Sequence, residues 1–401
     1  MSYSSSLNKN QLIKSSFQSL YSYCSRNDYK GYDLFDGLNS RLLKATPLYN
    51  VKLFRLAWIQ FFKHFPVNLR PVVLVPKGYN AKGLALFASG LLQVGNVEES
   101  RILYALLKKM TCTGYVGTSW GYNFDWEARA FYVPQGKPNL VTTVFVADSF
   151  LDYFYKTGDT EALTLVRGAC KFLLKHLLLF EDESSLCFGY IPGEETRVHN
   201  ANMLGAALLS RVYAQTREDI LLEKSRKAMA YSVKALQNDF SWPYGERHHH
   251  RFTDNFHTGF NLVSLYDWMK NTGEYCWQKE LEGAYKYFLD TFWEEDGRPR
   301  YYNNSLYPID IHCSAQGILT CLKLRSVDKR STEMIERIVC WAIENMQDKD
   351  GFFYYQKTKL YMNRIAYIRW AQAWMFRALS ALVAESKEKE QQVDGNSHEA
   401  Y

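Results

Sequence analysis

Histidines and carboxylates cluster in this chain where proton transfer would need them. Six of the nine histidines (His199, His248, His249, His250, His257 and His312) fall in five similar loops or in the first turns of the helices predicted to follow. Imidazole exchanges protons near neutral pH. Asp254 precedes His257 by three residues, which puts both on one side of a helical first turn. Asp310 precedes His312 by two. Each also has a structural reading: an Asp at a helix start serves as an N-cap, and His248–His250 reads as a surface string. Asp125, Glu127, Glu194, Glu195 and Glu246 add carboxylates to the same loops. Two carboxyls across a scissile bond hydrolyse a glycoside; Asp125 with Glu246 or Asp254 would serve. An epimerase or lyase needs a base, an acid on the opposite face and a group that neutralises charge. His257 and His312, with Tyr302 or Tyr307 and Arg197, fit that scheme, and the abundance of histidine tilts the reading toward it. Asp254, His257, His312, Asp310, Glu246 and Asp125 are therefore the catalytic candidates.

A ligand for such groups would be polyhydroxylated. Arg129, Arg197, Arg251, Arg364 and Arg369 offer planar forks for a carboxylate or phosphate, and His199, Asn200, Asn202 and Asn363 add further polar groups. Trp120, Trp126, Trp242, Trp370 and Trp374, with Tyr122, Tyr302 and Tyr307, supply flat apolar faces with polar tips, which suit sugar rings. Aromatics are 16% of the chain, more than core filling alone requires.

The loops share one design and so predict the elements that hold them. Residues 113–126, 187–202, 241–259, 297–317 and 351–374 are each rich in Gly and aromatics and each runs into a helix, with a weaker copy at 78–83. The helix starts expected at about residues 82, 140, 200, 255, 311 and 368 recur every ~57 residues, the mark of a helical repeat array. The stretch 140–155 is apolar nearly all round and predicts a buried inner helix. Residues 218–237 carry one apolar stripe and predict an outer one. TGD at 157–159 and NTGE at 271–274 read as Gly-terminated helix ends. The expected fold is an all-α (α/α)6 toroid over residues 51–384. Residues 1–50 would form an N-terminal helix and turn-rich segment packed on the ring. The charged stretch 385–401 reads as a disordered tail.

The net charge of +6 is spread without a basic stripe, which argues against nucleic acid and suits an acidic glycan. The eight cysteines form no CxxC pair and read as reduced thiols of a cytoplasmic protein. No apolar run is long enough to span a membrane. The residues call for no cofactor. A zinc site from His312 and Cys313 with Cys276 or His257 is a weaker alternative, which would make the chain a toroid acting on prenyl or peptide substrates.

The hairpin ring resembles the (α/α)6 toroids of carbohydrate-active enzymes: unsaturated glucuronyl hydrolases, N-acylglucosamine 2-epimerases, and the toroid domains of polysaccharide lyases and glucuronyl C5-epimerases. The blocks GYDLFDGLNS, FPVNLRP, WGYNFDWEARAF, TRVHNANMLGAALL, DNFHTGFNL, YPIDIHCSAQ and NRIAYIRWAQAWMFRAL are similar to a bacterial family associated with exopolysaccharide or capsule synthesis. Some of its members are labelled delta-aminolevulinic acid dehydratase, but nothing here alternates strand with helix as that enzyme's barrel does. The resemblance implies a glycan or sugar-derived ligand and an association with polysaccharide-synthesis machinery. It is compatible with an enzyme or with a non-catalytic glycan-binding protein.

Overall fold

The structure, a computed structural model, describes residues 2–128 and 131–398. It opens with α1 (Ser2–Arg26), then a turn-rich stretch holding α2 (Arg41–Lys44) and α3 (Lys52–His64). Five helical hairpins follow: α4 (Ala81–Gln93) with α5 (Val97–Lys109), α6 (Leu140–Thr157) with α7 (Thr160–His176), α8 (His199–Thr216) with α9 (Asp219–Val233), α10 (Asn255–Thr272) with α11 (Gln278–Thr291), and α12 (Ile311–Lys323) with α13 (Arg330–Met346). A π-helical turn, Ile368–Ala373, leads into α14 (Trp374–His398).

Helices α4, α6, α8, α10, α12 and α14 each pack against the next, and α14 packs back on α4. The ring is therefore closed, and the fold is the expected (α/α)6 toroid. The first five inner helices begin at or within one residue of the expected starts. Their burial explains their composition: α4 hides every residue from Ala81 to Leu92, whereas outer α13 hides mainly a stripe containing Ile335, Ile338, Val339 and Ala342.

The sixth outer place is taken by α1, which lies against α14 and α13. Phe17 meets Phe376 at 5.1 Å, and Leu20 and Cys24 are fully buried there. The composition after Glu385 predicts disorder, yet α14 stays helical to His398. The run is rich in good helix formers, and Glu385 pairs with Arg325 and Lys389 at 2.6 Å each. Residues 399–401 lie outside the described residues.

Hairpin turns sit at one rim and site loops at the other. Gly158 and Gly273 close α6 and α10 in the left-handed conformation, with φ of 75° at both, as read from the sequence. At the opposite rim Asn80, Asn139, Asp254 and Asp310 cap the starts of α4, α6, α10 and α12. Three small antiparallel sheets brace this rim: β1 (Trp126–Glu127) with β2 (Tyr132–Val133), β3 (Leu178–Glu181) with β4 (Leu186–Phe188), and β5 (Ile309–Asp310) with β6 (Gln356–Lys357) and β7 (Met362–Asn363). The segment holding α2 and α3 has its own small core of Leu38, Leu43 and Ile59. Asp36 pairs with Arg70 within it at 2.5 Å, and three further ion pairs fasten it to the ring: Asp33 with Arg369 at 2.6 Å, Lys44 with Asp125 at 2.8 Å and Arg55 with Glu127 at 2.7 Å.

Candidate functional site

Where the inner helices begin, the ring encloses a cavity of about 630 Å³, a volume typical of small-ligand sites. Its walls are mainly aromatic: Tyr122, Trp126, Tyr190, Tyr244, Phe256, Phe260 and Trp370. One side is formed by α3 through Leu53, Leu56 and Ala57.

Asp254 and His257 form a dyad in the first turn of α10. One Asp254 oxygen accepts the His257 backbone N–H at 3.0 Å and so caps the helix; the other lies 2.7 Å from His257 Nδ1. The carboxylate fixes the ring's orientation, leaving Nε2 as the nitrogen without a partner among the described residues. Asp254 is buried, while the His257 ring keeps about a fifth of its surface open.

The first turn of α12 brings His312 to the same cavity. Its ring lies between Phe256, stacked at 4.5 Å, and Trp374, stacked at 4.6 Å, with Trp370 edge-on at 4.8 Å. Both ring nitrogens lack a hydrogen-bond partner. Burial, reinforced by the nearby Lys82 and Arg369 charges, holds its pKa well below the ordinary histidine value. A neutral imidazole with an unused lone pair therefore faces the cavity.

Lys82, in the first turn of α4, also lines the cavity. Its ammonium position lies 4.1 Å from the Phe145 ring centroid, 5.0 Å from Trp374 and 5.3 Å from Phe260. The aromatic faces favour a cation. Burial, helped by the Arg369 charge and only partly opposed by Asp33, works against it and holds the amine's pKa well below the ordinary lysine value. Arg369 lies in the π-helical turn, its charge balanced by both Asp33 oxygens at 2.6 and 2.7 Å. Lys63 also reaches the cavity, its pKa lowered by burial and partly restored by Asp310.

Of the candidates read from the sequence, Asp254, His257, His312, Asn200, Tyr122, Trp126, Arg369 and Trp370 line the cavity. Trp374 stands just behind His312 and Lys82. Asp310 is fully buried beneath Trp370, whose indole N–H donates to it at 3.0 Å; it also caps α12 and accepts from Gln356. Burial pushes its carboxyl up to about 7 against those donors. Asp310 supports the wall and does not face the ligand space.

Other candidates lie elsewhere. Glu246 is exposed and bonds Tyr231 of outer helix α9, with Arg197 3.7 Å away, so both belong to an outward-folded loop. His199 is buried beside Tyr231, at 6.3 Å, away from the cavity wall. Asp125 is held by Lys44 at 2.8 Å and Tyr49 at 2.7 Å, beneath the N-terminal segment. Trp120 is core, its indole donating to the Leu107 carbonyl. Tyr302 pairs by backbone with Asp254, and neither it nor Tyr307 lines the cavity; Tyr301 does. Asn363 braces Ile365 and Phe65, and Arg364 is exposed over the Tyr354 ring. Arg129 lies outside the described residues.

Lys82 and Asp33 escape a motif reading. The signal for Lys82 was a lone cation inside the apolar run AKGLALFASGLL; for Asp33 it was the block GYDLFDGLNS. Glu127 lines the cavity but is neutralised by Arg55 at 2.7 Å. Among the described residues no three His, Cys, Asp or Glu side chains gather as metal ligands. Cys276, in the α10–α11 turn, sits at the far rim from His312.

No family description matches the sequence, and neither does any curated relative. Solved structures match in shape. A cellobiose 2-epimerase from Bacillus thermoamylovorans B4167 superposes with a TM-score of 0.61 at 12% identity, over 76% of this chain and 86% of that one. An alpha-mannanase of glycoside hydrolase family 76 from Bacteroides thetaiotaomicron gives 0.59 at 12%, over 77% and 86%. A D-mannose isomerase gives 0.58 at 13%, over 77% and 86%. At these identities the likeness is one of fold, and the chain shares with these sugar epimerase, isomerase and glycosidase structures the closed (α/α)6 ring.

Proposed function

We propose that this protein is a carbohydrate-active enzyme that epimerises or isomerises a sugar by moving a proton at the carbon beside its carbonyl. The observation that carries this reading is the pair of imidazoles that flank Phe256 in the cavity. Their ring centroids lie 4.1 and 4.5 Å from that of Phe256; one ring is held by Asp254 and the other has two unpartnered nitrogens. His312, neutral, takes the proton from C2 of the open-chain sugar, and the electron pair moves onto the carbonyl oxygen to give an enediolate. His257, held at Nδ1 by Asp254, returns a proton to the opposite face of C2. Return to C1 instead yields the ketose. In the reverse direction the two histidines exchange roles.

Lys82 supports the same chemistry. An anionic oxygen arriving beside it offsets the burial that lowers the amine's pKa and so favours the ammonium form. Hydrolysis is less well supported. It needs two available carboxyls, and those lining the cavity are engaged, Glu127 by Arg55 and Asp254 by His257 and the α10 backbone. The motif blocks support a saccharide of exopolysaccharide or capsule synthesis as substrate and a place beside that machinery, and the two cavity lysines support an acidic one, since a uronate carboxylate would meet Lys82 and Lys63. The eight free cysteines support a cytoplasmic setting.

Incubation with reducing mono- and disaccharides, including uronate-containing ones, in deuterated water tests the reading. Deuterium at C2 with an epimeric or ketose product is expected, and loss of both in His257→Ala. New reducing ends without deuterium would establish a hydrolase, and a rise in ultraviolet absorbance a lyase. Binding without turnover would leave a glycan-binding protein.

A further inference from the structure

Nine of the seventeen exposed large hydrophobic side chains among the described residues fall within residues 42–74. The same stretch extends an unusual charge pattern: residues 41–77 hold seven Lys or Arg and no Asp or Glu. Lys44, Arg55 and Arg70 are paired inward with Asp125, Glu127 and Asp36, whereas Arg41, Lys52 and Lys77 have no ion pair among the described residues and Lys63 turns into the cavity. Helix α3 buries Ile59 and Phe62 and leaves Leu53, Ala57 and Phe61 on its outer side, with Lys at both ends.

The pieces are joined. Arg41 N–H bonds the Leu74 carbonyl at 3.3 Å, and Tyr361 in the β6–β7 hairpin donates to the His64 carbonyl at 2.6 Å. That hairpin adds Leu360, 90% exposed, beside Lys359. Leu53 belongs both to this surface, at 76% exposure, and to the cavity wall.

We propose that this face docks on an anionic lipid bilayer surface, with the cavity mouth turned toward the lipid headgroups. Apolar side chains interleaved with cations are what an interfacial helix presents to acidic lipids. A second copy of the chain is a poorer occupant, because a two-fold contact would set cations against cations. No helix among the described residues is long and apolar enough to cross a membrane, so docking would be superficial.

Co-sedimentation of the full chain with vesicles tests this independently of any enzymatic activity. Vesicles of phosphatidylcholine with about 30 mol % phosphatidylglycerol should retain the protein at least tenfold better than phosphatidylcholine alone, less so as salt rises. Val72→Glu and Leu360→Glu should each lower that binding at least about tenfold with unchanged melting curves, and Lys52→Glu or Lys359→Glu should lower it roughly fivefold or more. Absence of wild-type binding, or wild-type binding by all four variants, would overturn the proposal. So would a wild-type dimer that Val72→Glu splits into monomers, which would assign the face to self-association.

Discussion

Asp254 serves two partners in one residue, His257: an oxygen 3.0 Å from its backbone nitrogen and an oxygen 2.7 Å from its Nδ1. Asparagine separates the two services. Asp254→Asn keeps an acceptor for the cap but removes the charge that stabilises the imidazolium. The turnover rate should fall about 10³–10⁴-fold, with a stability change under about 0.5 kcal/mol. Asp254→Ala should lose the same activity and a further ~1 kcal/mol from the cap. Steady-state rates and thermal melts of both variants check this; equal losses of stability would mean that the two services cannot be parted.

Lys82→Met should make the protein more stable and less active. An amine whose folded pKa is lowered costs stability wherever the unfolded chain holds the proton, and that cost fades as pH rises toward the unfolded value of about 10.4. Burial lowers the Lys82 pKa. The variant should therefore gain roughly 1–3 kcal/mol at pH 7, and the gain should shrink toward pH 10. Denaturant melts across that range, with sugar turnover at pH 7, test both halves.

Asp310 predicts the opposite slope. Its carboxyl, raised to about 7 by burial, binds a proton more tightly folded than unfolded. Its stabilising contribution is full below the unfolded value of about 3.9 and is lost as pH rises through about 7. Asp310→Asn keeps acceptors for the α12 cap and Trp370, and the Gln356 amide can turn to meet the new N–H. Stability of this variant relative to wild type should climb by on the order of a few kcal/mol between pH 4 and 7. Parallel curves would rule the idea out.

Asp33→Ala should cost about 3–5 kcal/mol, since it leaves the Arg369 guanidinium buried without its partner. Hydrogen exchange should quicken first in residues 27–79, the segment that Asp33 ties to the ring. A uniform change over all helices would contradict that local role.

The ring was legible because its signals are local and repeat. Apolar runs such as 140–155, left-handed glycines at 158 and 273, and the caps at Asp254 and Asp310 are set by chain neighbours alone. The cavity was only half legible. Asp254, His257 and His312 announce themselves by type and by their place at helix starts. Glu246 and Arg197 have the same type and near-equivalent positions, yet their loop folds outward onto Tyr231, which no local pattern reveals. Arg369 was recognised, but its partner Asp33 lies 336 residues away. The outer place of α1 is equally non-local, since nothing within residues 2–26 names α14 as its neighbour.

The pairing of α14 with α4 has a kinetic corollary. As the chain is synthesised, α4 emerges early with its flank bare, and the segment that covers it comes about 280 positions later in the sequence. Contacts so distant are slow to form, and exposed apolar surface in the meantime invites misassembly. Arg369 and Trp370 arrive with that last segment, so the cavity wall cannot be complete until it has docked.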